Sequence, residues 1–118
     1  FVSYNLISTC IENAYVYKAC VPVIDVFDTI KEVSEDGMVV KTFDRKTLKA
    51  VQTPQAFDYN IIRECYEKAM IEDAEFTDDA SIVEHYGYKV KTIEGLNKNI
   101  KITTPLDLRL AETIASIY

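Results

Sequence analysis

The sequence predicts an α/β protein with three layers, in which helices cover both faces of a sheet and one antiparallel arm interrupts the alternation. A continuous, valine-rich apolar run at residues 19–24 has the length and composition of a strand buried on both faces. Segments with helical and strand periodicity alternate along most of the chain. The turn sequence Ser34-Glu35-Asp36-Gly37 separates two stretches of strand character, as in a hairpin.

The first three elements follow from these patterns. Residues 4–15 have apolar side chains at three- and four-residue spacing, with Ser3 as a cap, and predict a helix. The predicted stripe consists of Leu6, Ile7, Cys10, Ile11 and Ala14. The central strand at 19–24 follows, and then a hairpin arm at about 26–48 pairs residues 26–33 with 38–42. Because this arm has little apolar surface of its own, we expect it to pack on something else, such as a partner subunit.

Proline and a capping residue organise the next elements. Residues 50–53 predict a short strand that ends at Pro54, which cannot donate a hydrogen bond to a ladder. Asp58 is placed to cap a helix over residues 59–71. The inward stripe predicted for this helix is Ile62, Cys65, Tyr66 and Ala69.

The last third of the chain predicts two helices and two short strands. Thr77 can cap a helix over residues 78–86, with Gly87 as its left-handed stop. Residues 88–93 alternate basic and apolar side chains as a strand does, and residues 99–103 predict another short strand. The final helix begins at Thr104-Pro105, and its apolar face is predicted to comprise Leu110, Ile114 and Ile117.

Composition and charge exclude several classes of protein. The 118 residues are 48% hydrophobic and 27% charged, which is typical of one globular domain or a piece of one. A net charge of −6 disfavours broad binding to nucleic-acid backbones or to anionic membranes, so we expect neither as a partner. No apolar run approaches the roughly 20 residues of a membrane span. The three cysteines show no C-x-x-C spacing, which favours a reducing cytoplasm over a disulfide framework.

No complete catalytic motif is present in the sequence. It contains no Gly-rich phosphate loop and no G-x-S-x-G or H-E-x-x-H pattern, and its single histidine, His85, is expected to be a surface or packing residue. The remaining candidates are polar residues at the ends of predicted strands, where open α/β sheets bind ligands. They are Thr29, Thr53, Thr77 and Lys101. Hydroxyls and an ammonium suit phosphate recognition, but a turn or cap role explains each threonine better when it is taken alone, and Lys101 fits a solvent-facing position equally well.

Four segments together resemble the C-terminal part of the 2-C-methyl-D-erythritol 4-phosphate cytidylyltransferase family. They match in order and spacing, and an Asp44-Arg45 dipeptide lies between the first two. The four segments are Asp28-Thr29-Ile30-Lys31, Gln52-Thr53-Pro54-Gln55-Ala56-Phe57, Thr77-Asp78-Asp79-Ala80-Ser81 and Asn99-Ile100-Lys101-Ile102-Thr103-Thr104-Pro105. The resemblance covers nearly the whole chain, residues 1–118, and implies part of a Rossmann-like nucleotidyltransferase three-layer fold with a protruding arm.

The resemblance implies an activity and roles for individual residues. Enzymes of this family transfer CMP from CTP to a polyol phosphate with release of pyrophosphate, a step of isoprenoid-precursor synthesis that uses Mg²⁺ on the phosphates. By resemblance, Thr29, Thr53, Thr77 and Lys101 bind or position the polyol phosphate. Arg45 matches an arm arginine that reaches the partner's substrate site across a homodimer. Lys101 and Arg45 would then be the catalytic residues.

Three expectations qualify this resemblance. The family's nucleotide loop and magnesium-binding aspartate lie upstream of Phe1, so we expect the CTP site to be absent and the chain to be inactive alone. Asp25 and Phe27 depart from the family pattern, and an acidic residue at position 25 resembles ribitol-5-phosphate cytidylyltransferases, which gives an alternative substrate. A non-catalytic dimerisation module is the alternative from another class.

Overall fold

The computed structural model describes all 118 residues, and its elements alternate as the sequence predicts. In chain order they are α1 (Tyr4–Tyr17), β1 (Ala19–Asp25), β2 (Lys31–Val33), β3 (Val39–Thr42), a 3₁₀ helix (Arg45–Thr47), β4 (Lys49–Val51), β5 (Ala56–Phe57), α2 (Tyr59–Glu72), α3 (Asp79–His85), β6 (Lys91–Glu94) and α4 (Pro105–Ile117). Among the four helices, none combines the length and apolarity that a bilayer crossing needs.

Strand β1 is the centre of the main sheet. It pairs in parallel with β6, from Cys20 opposite Lys91 to Val23 opposite Glu94. On its other side it pairs antiparallel with β4, where Val23 lies opposite Val51, and with β5. The first five residues of β1 are all buried. The prediction of a buried central strand is therefore confirmed, in a sheet that is mixed rather than wholly parallel.

Successive residues of β1 face opposite helical layers. Cys20 packs with Cys10 and Ala14 of α1. Its neighbour Ala19 packs on the opposite face with Cys65 of α2 and with α3. Because side chains alternate across a strand, one strand thus fills two cores, and the predicted three-layer arrangement is confirmed.

Helix α1 begins where the sequence indicates. The hydroxyl of Ser3 accepts a hydrogen bond from the Leu6 N–H at 3.1 Å, and the helix ends at Lys18 in a left-handed conformation. Leu6, Cys10 and Ala14 are buried as predicted. Ile7 and Ile11, however, are 38% and 58% exposed, so their assignment to the buried stripe is wrong for this chain. Only the side of the helix centred on Cys10 faces the sheet.

Helix α2 confirms its predicted cap, because the Asp58 carboxylate accepts from the Ile61 N–H at 3.1 Å. Cys65 and Ala69 are buried, and Ile62 packs against the same core. Tyr66 is 41% exposed instead of buried. Its hydroxyl donates to the Asp79 carboxylate on α3, so its ring lies at the edge of the core.

Helix α3 is capped by Asp78, which corrects the prediction of Thr77 as the cap. The helix begins one residue later than predicted, and the Asp78 carboxylate accepts from the Ser81 N–H at 2.8 Å. The Thr77 hydroxyl instead lies 3.2 Å from Ser81 Oγ. Gly87 follows the helix at φ +91°, a conformation that favours glycine, as predicted for the stop.

The predicted strand over residues 99–103 is absent. β6 ends at Glu94, the last residue with a partner on β1, and no further strand is available to pair with residues 100–102. A backbone without a neighbour cannot form a ladder, so the local strand preference is not realised. Lys101 therefore lies in a connecting segment rather than in a strand.

Helix α4 has the strong start signal that the sequence predicts. Thr104 and Asp107 form a reciprocal capping box, with Pro105 in the first turn. Ala111 is its one buried residue, while Leu110 and Ile117 are 48% and 69% exposed. The predicted apolar face is therefore not buried within this chain.

The arm is a separate two-stranded sheet whose strand residues are all exposed. Its turn matches the prediction, since the Gly37 N–H donates to the Ser34 carbonyl at 2.9 Å and Gly37 has φ +86°. The first strand begins at Lys31, five residues later than predicted. Residues 26–29 would have to pair with a stretch that includes the 3₁₀ helix Arg45–Thr47, and a 3₁₀ helix cannot continue a β ladder.

Candidate active site

An open cleft of about 510 Å³ lies where the carboxyl end of β1 meets β4 and the loops before α3 and after β6. Three residues singled out by the sequence line it together: Thr53, Thr77 and Lys101. All three side chains are exposed to solvent. We call this the Thr53 cleft. Its other polar lining residues are Gln52, Gln55, Asp78, Asn97 and Asn99.

The Thr77 side of the cleft is fixed by Gln55 and Asp78. Gln55 Nε2 donates to Asp78 Oδ2 at 3.0 Å, and Gln55 Oε1 accepts from the Ala80 N–H at 3.1 Å. Burial acts to raise the pKa of Asp78, but the hydrogen bonds from Ser81 and Gln55 outweigh it and lower the pKa below its usual value. Asp78 is thus an ionised cap that orders this wall, and both of its oxygens already accept hydrogen bonds.

The chemistry available in the Thr53 cleft suits a phosphorylated ligand. Two hydroxyls can donate to phosphate oxygens, and the Lys101 ammonium can both donate and offset negative charge. The side-chain amides of Gln55, Asn97 and Asn99 retain N–H groups that are not used within the chain and add further neutral donors. Asp78 stays ionised, so its charge opposes an anion, and Lys101 is the cation in the lining that can offset it.

Thr29 and Arg45 lie elsewhere, in a second cleft at the base of the arm. This arm cleft measures about 640 Å³ and is also lined by Lys46 and Lys49. Arg45 Nη1 donates to the Phe27 carbonyl. Within one chain, then, the structure brings three of the five predicted site residues together and leaves Thr29 and Arg45 apart from them.

Sequence reasoning missed the amides of the Thr53 cleft. Gln52, Gln55 and Asn99 lie within the segments that carry the family resemblance, and this was the available signal, but no role was assigned to them. Asn99 is only 8% exposed, the one buried residue that is polar or charged. Hydrophobic periodicity cannot reveal a buried amide, because its burial depends on partners far away in the chain.

The single histidine lines neither cleft. His85 Nε2 lies 3.3 Å from Glu72 Oε2, and its ring packs edge-on against Phe76 and Tyr86, which agrees with a packing residue. No three His, Cys, Asp or Glu side chains of this chain lie together so as to hold a metal ion. The residues present do not form a magnesium site of their own, and no step below is assigned to a metal.

Solved structures identify the class of protein that has this fold. Over 98% of its length the chain matches a 2-C-methyl-D-erythritol 4-phosphate cytidylyltransferase from Thermus thermophilus, with a TM-score of 0.87, 37% identity and 57% of that chain covered. A 4-diphosphocytidyl-2C-methyl-D-erythritol synthase from Anaerococcus prevotii gives a TM-score of 0.88 with 34% identity over 98% of this chain and 54% of the other. The predicted nucleotidyltransferase-type α/β fold is confirmed.

The sequence comparisons give the family. Residues 1–116 match the family model described as IspD: 2-C-methyl-D-erythritol 4-phosphate cytidylyltransferase. A protein of that name from Clostridium novyi is 45% identical over 97% of this chain and 49% of its own length. Another, from Bacteroides fragilis, is 45% identical over 97% of this chain and 50% of its own. The chain belongs to this family, and it spans about half the length of the curated relatives it matches.

Proposed function

We propose that this chain carries the polyol-phosphate site of a cytidylyltransferase that transfers CMP from CTP to 2-C-methyl-D-erythritol 4-phosphate and releases pyrophosphate. The observation that carries the proposal is that Thr53, Thr77 and Lys101, distant in sequence, line one cleft. Membership of the family supports the reaction type. The CTP-binding segment is expected to lie outside this chain, as is the Mg²⁺ site.

In the proposed reaction, an oxygen of the polyol phosphate attacks the α-phosphorus of CTP. A new phosphorus–oxygen bond forms, the bond from the α-phosphorus to the bridging oxygen breaks, and pyrophosphate leaves with that electron pair. Such transfers depend on placing two anions against each other and offsetting their charge. Thr53 and Thr77 would orient the substrate phosphate by hydrogen bonds. Lys101 would reduce the repulsion between the reactants and stabilise the charge of the transition state.

A homodimer formed through the arm is part of this proposal. The strands β2 and β3 are exposed along their whole length, and Val39 and Val40 are 57% and 59% exposed. An isolated hairpin of this kind is marginal in water and gains stability by packing on another surface. Crossing to a second subunit would carry Arg45 towards the partner's Thr53 cleft, which would account for its distance from that cleft in one chain.

Two alternatives are separable from this proposal. Ribitol 5-phosphate is the alternative substrate, but Asp25 and Phe27, the residues that suggest it, line the arm cleft rather than the Thr53 cleft. A non-catalytic dimerisation module would retain the arm without binding a phosphate.

A reducing cytoplasm is proposed as the compartment, supported by three free cysteines.

The direct test restores the rest of the enzyme. The chain is fused to the half of the Clostridium novyi relative that it does not cover, and pyrophosphate release is measured with CTP and each polyol phosphate. We expect release with methylerythritol phosphate and a loss of at least about a hundredfold in rate for Lys101→Met. Faster turnover of ribitol phosphate would favour the alternative substrate. A folded fusion that releases no pyrophosphate with either substrate would contradict the proposal.

A further inference from the structure

Lys101 lies in a short segment that has no hydrogen bonds of its own. Neither the backbone nor the side chain of residues 100–102 forms a hydrogen bond within the chain. The nearest anchors are Asn99 on one side and Thr103, whose N–H donates to Asp107, on the other. The position of Lys101 therefore depends on how the preceding loop is held.

That loop, residues 95–99, is held by the side chain of Gln52. Gln52 Nε2 donates to the Leu96 carbonyl at 2.8 Å and to the Asn99 carbonyl at 3.1 Å. Gln52 Oε1 accepts from the Leu96 N–H at 3.2 Å. Both amide protons and the carbonyl oxygen are thus used on this one loop. Gln52 itself is anchored to β1, since its backbone N–H donates to the Pro22 carbonyl at 2.9 Å.

A second contact runs in the opposite direction. Asn99 Nδ2 donates to the Thr53 carbonyl at 2.7 Å, and Asn99 is almost completely buried. The residue next to Gln52 in the chain is thereby tied to the loop that leads to Lys101. Two amides consequently fix the separation between the Thr53 and Lys101 sides of the cleft.

We infer that Gln52 is a positioning residue for Lys101, holding its ammonium opposite Thr53 in the cleft for a phosphate, with Asn99 as the second tie. The inference rests on the proposed function, because it gives Gln52 a role only through a Lys101 that binds phosphate. A hydrogen-bonded side chain that merely stabilises the fold would affect binding equally whether or not residue 101 is a lysine. This difference makes the inference measurable.

The test is a double-mutant cycle with glycerol 3-phosphate as the probe, bound to the chain and followed by NMR titration. We expect Lys101→Met to weaken binding about tenfold, as the loss of a charge-assisted contact would, and Gln52→Met to weaken it about fivefold. In the Lys101→Met background, Gln52→Met should change affinity by less than about twofold, since coupled residues are non-additive.

Gln55→Met is the matched control, because Gln55 lines the same cleft and forms two side-chain hydrogen bonds, but to Asp78 and Ala80. Its effect on affinity should be the same in both backgrounds. If Gln52→Met does not fold, Asn99→Ala removes the second tie and must show the same dependence on Lys101.

The outcomes separate this inference from the proposed function. Two results would overturn the inference alone. In the first, Gln52→Met weakens probe binding equally with and without Lys101. In the second, Gln52→Met leaves binding unchanged while Lys101→Met weakens it. A wild-type chain that does not bind the probe, or a Lys101→Met chain that binds it unchanged, would overturn the proposed function and the inference with it.

Discussion

Gly95 and Gln52 lie so close that the glycine has no room for a side chain. A Cβ at position 95 would overlap Gln52 Oε1 and lie 3.1 Å from the Val23 carbonyl oxygen. The Gly95 N–H also donates to that carbonyl at 2.8 Å, so the backbone cannot move away without losing a contact to β1. The absence of a side chain at residue 95 thus allows Gln52 to reach the loop.

Gly95→Ala should therefore displace Gln52 and break its hydrogen bonds to Leu96 and Asn99. We expect the free energy of unfolding to fall by about 1–2 kcal/mol, the range for losing a partly buried hydrogen-bonding group. Urea denaturation measures this. In a Gln52→Ala chain the same substitution should cost less, because the side chain it displaces is gone; an equal cost in both chains would contradict the close approach.

Asp107 should make the start of α4 sensitive to acid. Its carboxylate accepts hydrogen bonds from Thr103 and Thr104, which lower its pKa to about 2. A folded-state pKa below the unfolded value gives stability that is present at neutral pH and lost as the pH falls from about 4 towards 2. NMR shifts of residues 105–117 should report fraying of the first turn in that range.

Two variants isolate the effect of Asp107 from general acid unfolding. Asp107→Ala should show a frayed first turn already at pH 7, with little further change down to pH 2. Glu112→Ala, on the same helix and outside the capping box, should follow the wild-type pH dependence. A wild-type helix start that is unaffected between pH 4 and pH 2 would contradict the role of the carboxylate.

The three cysteines should be unreactive in the folded chain. Cys10, Cys20 and Cys65 are fully buried, and burial raises the pKa of each thiol, that of Cys20 to about 12. Since the thiolate is the nucleophile, a thiol reagent at pH 8 should react only as the chain unfolds. Absorbance with dithiobisnitrobenzoate should show slow modification in buffer and three thiols in guanidinium. Rapid reaction of Cys10 or Cys20 in buffer would mean that α1 does not cover β1 as described.

Mixing two inactive variants should show whether Arg45 acts in the partner's cleft. In the fusion that supplies the remaining half of the enzyme, Arg45→Met and Lys101→Met are each expected to lose most activity. If the arm crosses between subunits, a mixed dimer contains one site with both residues intact, so random pairing restores about a quarter of the sites. Pyrophosphate release after mixing and re-equilibration measures this recovery. If mass spectrometry shows that the dimers have exchanged subunits but activity does not recover, Arg45 acts in the site of its own subunit.

Local signals were sufficient for most element positions. Ser3, Asp58 and the Thr104-Pro105 pair each start a helix where the sequence predicts, because a cap acts through the first turn only. The predicted cap of α3, Thr77, is one residue before the observed cap, Asp78. Both residue types can cap a helix, and the choice depends on the packing of Gln55 against Asp78. The strand expected at 99–103 failed because a strand requires a partner, which local sequence does not specify.

The sequence by itself determined the central strand, the helix starts and the family resemblance, since each depends on residue types at short spacing. Only the tertiary structure separated Thr29, which the resemblance grouped with Thr53, Thr77 and Lys101, from the cleft that those three share, and placed it beside Arg45 at the arm. It also decided that Gln52 and Asn99 tie the cleft together. The physical reason is that the hydrogen bonds of these two amides join residues 44 to 47 positions apart, and their geometry is set by the pairing of β1 with β4 and β6.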